Sequence, residues 1–163
     1  MRRLILLSML TLVMVALSPV TANAGSNVEV PKYNIVSAGV GAQGTYLCKV
    51  SVYSKNGKTK DADLKRAAVH GVIFKGVAGG DGGISQKAMV NPSTEYEKAD
   101  FFKEFFADDG PYNSYANVVP NSITRAKTAN KEVCISAVVV VSKDELRKYL
   151  EKAGVVRGLG SMF

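Results

Sequence analysis

The amino-acid sequence predicts an α+β fold, in which a mostly antiparallel sheet of about four strands carries helices on one face. Two observations predict it. Runs of strand-forming residues occur in pairs, and helical stretches separate the pairs along the chain. The predicted order is β-β-α-α-β-β-α, and strand pairs divided by helices are typical of a sheet whose helices pack on one side. The chain has 163 residues, a length that fits one such domain.

The first two strands are predicted on either side of a glycine-rich turn. Residues 33–40 form the first, where Ile35 and Val36 favour β-structure. Residues 46–54 form the second, because apolar and polar side chains alternate along it. The turn between them is predicted at residues 41–44, and residues 39–44 have the letters of the Gly-x-Gly-x-x-Gly dinucleotide motif. A strand follows it, however, where pyrophosphate binding needs a helix N-terminus, so we predict a hairpin turn and no cofactor.

Residues 61–77 predict a helix with Asp61 as its N-cap. The later part of this helix is apolar almost all round, which predicts that it lies in the middle of the core. His70, the only histidine of the chain, lies in that part. A histidine in such a helix is usually a packed residue, although any imidazole chemistry in this protein would have to use it. The glycine loop at 79–83 follows, and because mobile glycine loops can cover a site, Asp81 is a candidate ligand contact.

A second helix is predicted from a capping box formed by Thr94 and Glu97. The four phenylalanines within residues 101–106 share one side of that helix, which favours a core-facing stripe over an exposed binding surface. Pro111 and the glycine before it end the helix.

Aromatic residues outside the predicted helices and strands are the candidates for contact with a partner. Tyr112 and Tyr115 fall in a loop predicted at residues 112–117, and loop tyrosines often contact ligands or partner proteins. Phe163 lies in an apolar tail and is a candidate for docking into a neighbouring molecule.

The second strand pair and the last helix complete the predicted domain. Residues 123–127 alternate as a half-exposed strand does, and residues 133–141 have two apolar faces, which predicts a central strand. Ser142 and Glu145 form a further capping box that begins the last helix, and Gly154 ends it.

The first 24 residues predict a secretory signal peptide. Arg2 and Arg3 precede an apolar run at residues 4–15, and small residues lie before the predicted cleavage site after Ala24. The apolar run is shorter than the roughly 20 residues that span a bilayer, so no transmembrane segment is expected after processing. We therefore expect export to the periplasm or the cell exterior. The predicted organisation is a signal peptide at 1–24, a leader at 25–32, a single domain at 33–154 and a tail at 155–163.

Charge and cysteine content narrow the classes of function. The formal net charge is +7, but no run of five or more basic residues occurs, which favours a solvated surface over a specific nucleic-acid site. Cys48 and Cys134 lie in separate strand-like runs, and the sequence leaves open whether they form a disulfide or two buried thiols. With one histidine and two dispersed cysteines, no metal site and no cofactor are predicted.

The strand at 46–54 (YLCKVSVYS) and the alanine-rich helix at 67–76 (AAVHGVIFKG) have a layout similar to that of a known family. They resemble the amino-terminal domain of flagellar assembly protein T and related small bacterial envelope proteins. The strand and helix at 133–153 fit the same layout. The resemblance implies an envelope-associated α+β module and supplies no set of catalytic residues.

Three functions remain open from the sequence. The leading hypothesis is an exported, non-enzymatic module that binds a protein partner or another component of the cell envelope. The second is a small secreted hydrolase with a site near His70 or the loop at 79–83. The third is a binder of anionic glycans, lipid headgroups or nucleic acid, which would need its lysines on one continuous face. The lysines concerned are Lys49, Lys55, Lys58 and Lys60.

Overall fold

The computed structural model describes residues 30–80 and 82–157. The predicted signal peptide, Asp81 and Phe163 therefore lie outside the described residues. Within them, an open antiparallel sheet packs against helices and confirms the α+β class. The strands are β1 (Tyr33–Ser37), β2 (Tyr46–Ser54), β3 (Ala116–Val118), β4 (Thr124–Lys127) and β5 (Val133–Val141); the helices are α1 (Asp61–His70), α2 (Ser93–Glu97), α3 (Ala99–Phe105) and α4 (Lys143–Lys152).

Strand β5 occupies the centre of the sheet, as its two apolar faces predict. It pairs with β2 along all nine residues of both strands, from Tyr46 opposite Val141 to Ser54 opposite Val133. β1 pairs with the other edge of β2. β3 and β4 share the second edge of β5, each opposite a different half of the strand. The strand order is therefore β1-β2-β5-β3, with β4 also beside β5.

The core lies between one face of this sheet and α1. Alternate residues of β2 and β5 point toward the helix, and Val50 and Val139 are fully buried there. Ala67, Ala68 and Val69 of α1 are also fully buried, which confirms that this helix lies in the middle of the core. Small alanine side chains let the helix approach the sheet closely, because little side-chain volume separates the two backbones.

The helix predicted at 61–77 is α-helical only as far as His70. It continues as one π-helical turn, Gly71–Lys75, closed by a hydrogen bond from the Gly76 N–H to the Gly71 carbonyl (2.8 Å). A Cβ atom at Gly71 would lie 2.9 Å from Cδ1 of Ile35, so glycine permits the close approach of this turn to β1. Gly76 then ends the turn at a φ of 76°, a conformation that favours glycine.

The helix boundaries predicted from capping residues were partly correct. Ser142 is the N-cap of α4, and Gly154, at a φ of 67°, follows the end of that helix. Asp61 and Thr94, however, lie inside their helices. α1 begins at Asp61, but its cap is Lys60, whose N–H donates to the Asp63 carboxylate (2.8 Å). Neither Thr94 nor Ser142 caps a helix through its side chain. Backbone groups of neighbouring segments accept hydrogen bonds at a helix start instead. The N–H of Ser142, for example, donates to the carbonyl of Tyr115 (2.9 Å).

Two further boundaries differ from the prediction. The first strand ends at Ser37 because the chain turns away at Gly39, where φ is 122°. Residues 112–117 are not a loop: a 3₁₀ turn, Pro111–Tyr115, leads directly into β3. β3 forms because the second edge of β5 would otherwise leave buried backbone groups without partners.

The two cysteines lie on opposite faces of the sheet. Cys48 points into the core opposite Val139, whereas Cys134 lies on the face without helices, opposite Tyr53. Val139 and Cys134 lie five positions apart along β5, a distance of about 17 Å, which is far beyond the reach of a disulfide. Both residues are free thiols, and burial raises the pKa of Cys48 to about 12.

Substitution of the two thiols tests this placement. Cys48→Ser puts a hydroxyl into the apolar core, and we expect it to lower the free energy of unfolding by about 1–3 kcal/mol. Cys134→Ser on the partly exposed face should change it by less than about 0.5 kcal/mol. Urea unfolding under reducing conditions measures both, and equal losses in the two variants would contradict the assignment of faces.

Candidate functional site

His70 lies at the end of α1 and both of its ring nitrogens have partners. Nδ1 is 2.7 Å from the hydroxyl of Tyr33, and Nε2 is 3.2 Å from Oε1 of Glu95. Because a carboxylate accepts hydrogen bonds, Nε2 carries the proton of the neutral ring and Nδ1 accepts from the Tyr33 hydroxyl. The rings of Phe74 and Phe106 pack against the imidazole, with centroids 4.8 and 5.6 Å away.

The hydrogen bonds of Tyr33, His70 and Glu95 connect elements of the fold. Burial lowers the pKa of His70 below its ordinary value, and Lys75 lowers it too, while the hydrogen bond and the charge of Glu95 oppose them in part. Burial, together with Glu95, raises the pKa of Tyr33. His70 is only 8% exposed and lines neither of the two grooves described below. The geometry therefore ties β1 and α2 to α1 and gives no support to a hydrolase centred on this histidine.

Two loops that contain glycines meet at the Tyr46 end of β2. The first, residues 39–44, is a hairpin turn as predicted, and the N–H and hydroxyl of Thr45 both donate to the carbonyl of Ala42 (3.0 and 2.7 Å). The second, of which residues 76–80 and 82–86 are described, extends the edge of β1. The N–H of Ser37 donates to the carbonyl of Ala78 (2.7 Å), which holds this loop beside the sheet.

A continuous groove runs between these loops. Its apolar half is a cavity of about 250 Å³ bordered by Val40 and Ile84, which are 86% and 74% exposed. Its polar half, a cavity of about 380 Å³, shares Tyr46, Gln86 and Lys143 with the first. The polar half adds the side chains of Lys87, Met89, Asp144 and Arg147. We call this surface the glycine-loop groove.

Tyr46 lies where the two halves of the glycine-loop groove meet. Its hydroxyl donates to Oε1 of Gln86 (3.2 Å), and the Lys143 ammonium lies 5.5 Å from its ring centroid. Lys143 also pairs with Asp144 at 2.6 Å. The N–H of Asp144 donates to the carbonyl of Gly44 (3.2 Å), which fixes the start of α4 against the hairpin turn. The groove thus offers an apolar surface beside a predominantly cationic one.

A second groove lies at the Ser54 end of β2. Four cationic side chains line a cavity of about 660 Å³ together with three aspartates. The cations are Lys58, Lys60, Arg66 and Arg125, and the acids are Asp63, Asp108 and Asp109. We call it the basic groove.

Arg66 is the most enclosed cation of the basic groove, with a side chain that is only 11% exposed. Its Nη2 donates to Asp108 (2.8 Å) and to the hydroxyl of Tyr112 (3.4 Å). Burial lowers the pKa of Arg66, but the hydrogen bonds and charges of Asp108 and Tyr112 outweigh that effect and raise it overall. The guanidinium is therefore charged and held in one position.

The predicted partner-contact residues have different surroundings. Tyr112 is fully buried under the Arg66 guanidinium, which lies 5.2 Å from its ring centroid. Tyr115 is half-buried and packs between the rings of Phe105 and Tyr149. Neither tyrosine lines the glycine-loop groove or the basic groove. Both therefore serve packing in the described part of the chain.

The lysines named from the sequence do not share one site. Lys58 and Lys60 line the basic groove, whereas Lys49 lies opposite Val138 on the face of the sheet without helices. The functional candidates that sequence reasoning missed are the exposed Val40 and the pair Arg66 and Arg125. An apolar residue between two glycines was a local signal for Val40. No local signal connects the arginines, because only the fold brings α1 and β4 together.

Comparisons with known proteins do not assign this chain to a family. No protein-family model, no curated protein and no solved structure matches the chain. Among residues 30–80 and 82–157, no group of three or more histidine, cysteine or acidic side chains is placed to hold a metal ion. No helix in that same part of the chain has the length and apolar character needed to cross a membrane.

Acid should weaken the fold through His70. Because the pKa of His70 is lower in the folded protein than its unfolded value of about 6.5, the unfolded chain binds the proton more readily. The neutral, buried imidazole of His70 contributes fully to stability above the pKa of the unfolded chain. This contribution is lost as the pH falls toward the pKa of the folded protein. We expect the midpoint of urea unfolding to drop between about pH 7.5 and about pH 5.5, and to drop less in His70→Gln. The same drop in both proteins would contradict the assignment.

Proposed function

We propose that this protein is exported to the periplasm and acts there as a non-enzymatic module that binds a protein partner through the glycine-loop groove. Export is supported by the signal-peptide pattern in residues 1–24. The observation that carries the binding proposal is the exposure of Val40 and Ile84 on two different loops that border one cavity. The resemblance to small envelope proteins is consistent with both parts of the proposal.

The exposure of these two side chains favours a partner on energetic grounds. Full burial of a valine or isoleucine side chain stabilises a complex by about 1.5–3 kcal/mol relative to exposure. Single exposed apolar residues are common on protein surfaces, but two that border one cavity form a shared apolar surface. A partner that covers both would remove them from water at once.

The polar half of the glycine-loop groove would orient the bound partner. Lys87, Lys143 and Arg147 line it together with a single acid, Asp144. Charges at the edge of an interface steer association and select the partner more than they raise affinity. We infer that the partner segment combines an apolar side chain with acidic residues.

The groups that line the groove support binding over catalysis. Gln86 and Tyr46 are bonded to each other, and the hydroxyl of Ser37 donates to the carbonyl of Gly39 (3.2 Å). The only histidine of the chain packs elsewhere, against Phe74 and Phe106. A serine nucleophile needs a neighbouring base, and the described side chains place none beside Ser37.

Introduction of acidic side chains at the apolar border of the groove tests the proposal. A tagged full chain is used for capture with mild crosslinking from its host's envelope fraction, and the recovered partner is then purified. We expect Val40→Asp combined with Ile84→Asp to weaken the affinity for that purified partner at least about tenfold, because each aspartate opposes apolar burial and repels an acidic segment. Isothermal titration measures the affinity.

Ile123→Asp is the matched control, since Ile123 is 50% exposed and lines neither groove. It should retain the affinity of the unsubstituted chain. Circular dichroism establishes that the three proteins are folded. Equal affinity in the doubly substituted and unsubstituted chains would contradict the assignment of the groove, and failure to recover any stoichiometric partner would contradict the proposed function itself.

A further inference from the structure

We propose that the basic groove binds the phosphate or sulfate group of an anionic ligand. This site is distinct from the glycine-loop groove, because the two lie at opposite ends of β2. The inference does not depend on the proposed protein partner.

Cations from three separate parts of the fold converge on this cavity. Lys58 and Lys60 come from the connection between β2 and α1, Arg66 from α1 and Arg125 from β4. The Arg125 guanidinium is held in place by a hydrogen bond from Nη2 to the carbonyl of Gly57 (2.7 Å). A cavity of about 660 Å³ is large enough for a small ligand.

Arg66 provides a positioned donor group at the wall of the cavity. Its guanidinium lies over the Tyr112 ring and donates to the Tyr112 hydroxyl, and these contacts do not depend on Asp108. Its Nε is buried and has no hydrogen-bond partner among the described residues. Arginine matches the planar geometry of oxyanions through several parallel donors. Because burial already restrains this side chain, binding costs little further conformational entropy.

The three aspartates of the groove differ in how strongly they oppose an anion. Asp63 accepts the hydrogen bond that caps α1 and lies 4.0 Å from Nη1 of Arg66, so its charge is shared between the helix and this guanidinium. Asp108 pairs with Arg66 at 2.8 Å although its own side chain is 99% exposed. An ion pair that is open to water on one side contributes little stability, so a ligand oxyanion can replace Asp108. Asp109 remains as a repulsive neighbour.

This arrangement predicts substitution effects of opposite sign. Isothermal titration of the folded full chain with pyrophosphate, and separately with a sulfated disaccharide, is carried out at low ionic strength. We expect Arg125→Gln combined with Lys58→Gln to weaken binding about tenfold or more. Asp108→Asn should instead strengthen it several-fold, because a competing carboxylate is neutralised. Lys103→Gln, an exposed lysine of α3 outside the groove, is the matched control and should have no effect.

The two probes separate the possible sources of the oxyanion. Binding of pyrophosphate alone assigns a phosphate ligand, and binding of the disaccharide alone assigns a sulfated one; either supports the site if the variants behave as stated. The proposal is overturned if neither probe binds. It is also overturned if Lys103→Gln weakens binding as much as the groove variants do, or if Asp108→Asn fails to strengthen it.

Discussion

The pairing of β2 with β5 is the constraint on which the rest of this structure depends. The two strands are in register over nine residues, so every alternate side chain of both faces the same layer. A slip of β2 by one residue would move Val50 out of the core and bring Lys49 into it, while Val139 of β5 stayed in place. The hydrogen bond between the hydroxyls of Ser51 and Ser136 (2.8 Å) joins the same strands on the opposite face.

The same pairing separates the two candidate sites. At one end of β2, the hairpin turn and the loop at 76–86 surround an apolar cavity, and α4 begins there. At the other end of β2, the start of α1 lies close to β4, and the cationic side chains of both line the basic groove. The sheet thereby holds a surface suited to a protein segment and a surface suited to a small anion at a distance from each other. No residue lines both grooves.

Buried polar groups hold the helical layer in place between these ends. The Tyr33–His70–Glu95 network joins β1, α1 and α2, and Arg66 joins α1 to the segment that contains Asp108 and Tyr112. In each case a long side chain from α1 meets two partners that are far away in sequence. The buried contacts of His70 and Tyr112 are costly to leave unsatisfied, so they position the layer as well as stabilise it. The exposed carboxylate of Asp108 adds little stability.

The sequence by itself determined the α+β class, the bounds of β2 and β5, and the burial of α1, because alternation and apolar composition are properties of neighbouring residues. It did not determine which groups satisfy the N-cap of α4, since the N–H of Ser142 donates to the carbonyl of Tyr115, which only folding brings near. Local reasoning also placed Tyr112 in a loop, whereas it lies in a 3₁₀ turn and packing under Arg66 buries it. Tertiary structure alone assembled both grooves, because each takes its side chains from segments separated by dozens of residues. A pattern of neighbouring residues does not indicate which distant segments will lie side by side in the folded protein.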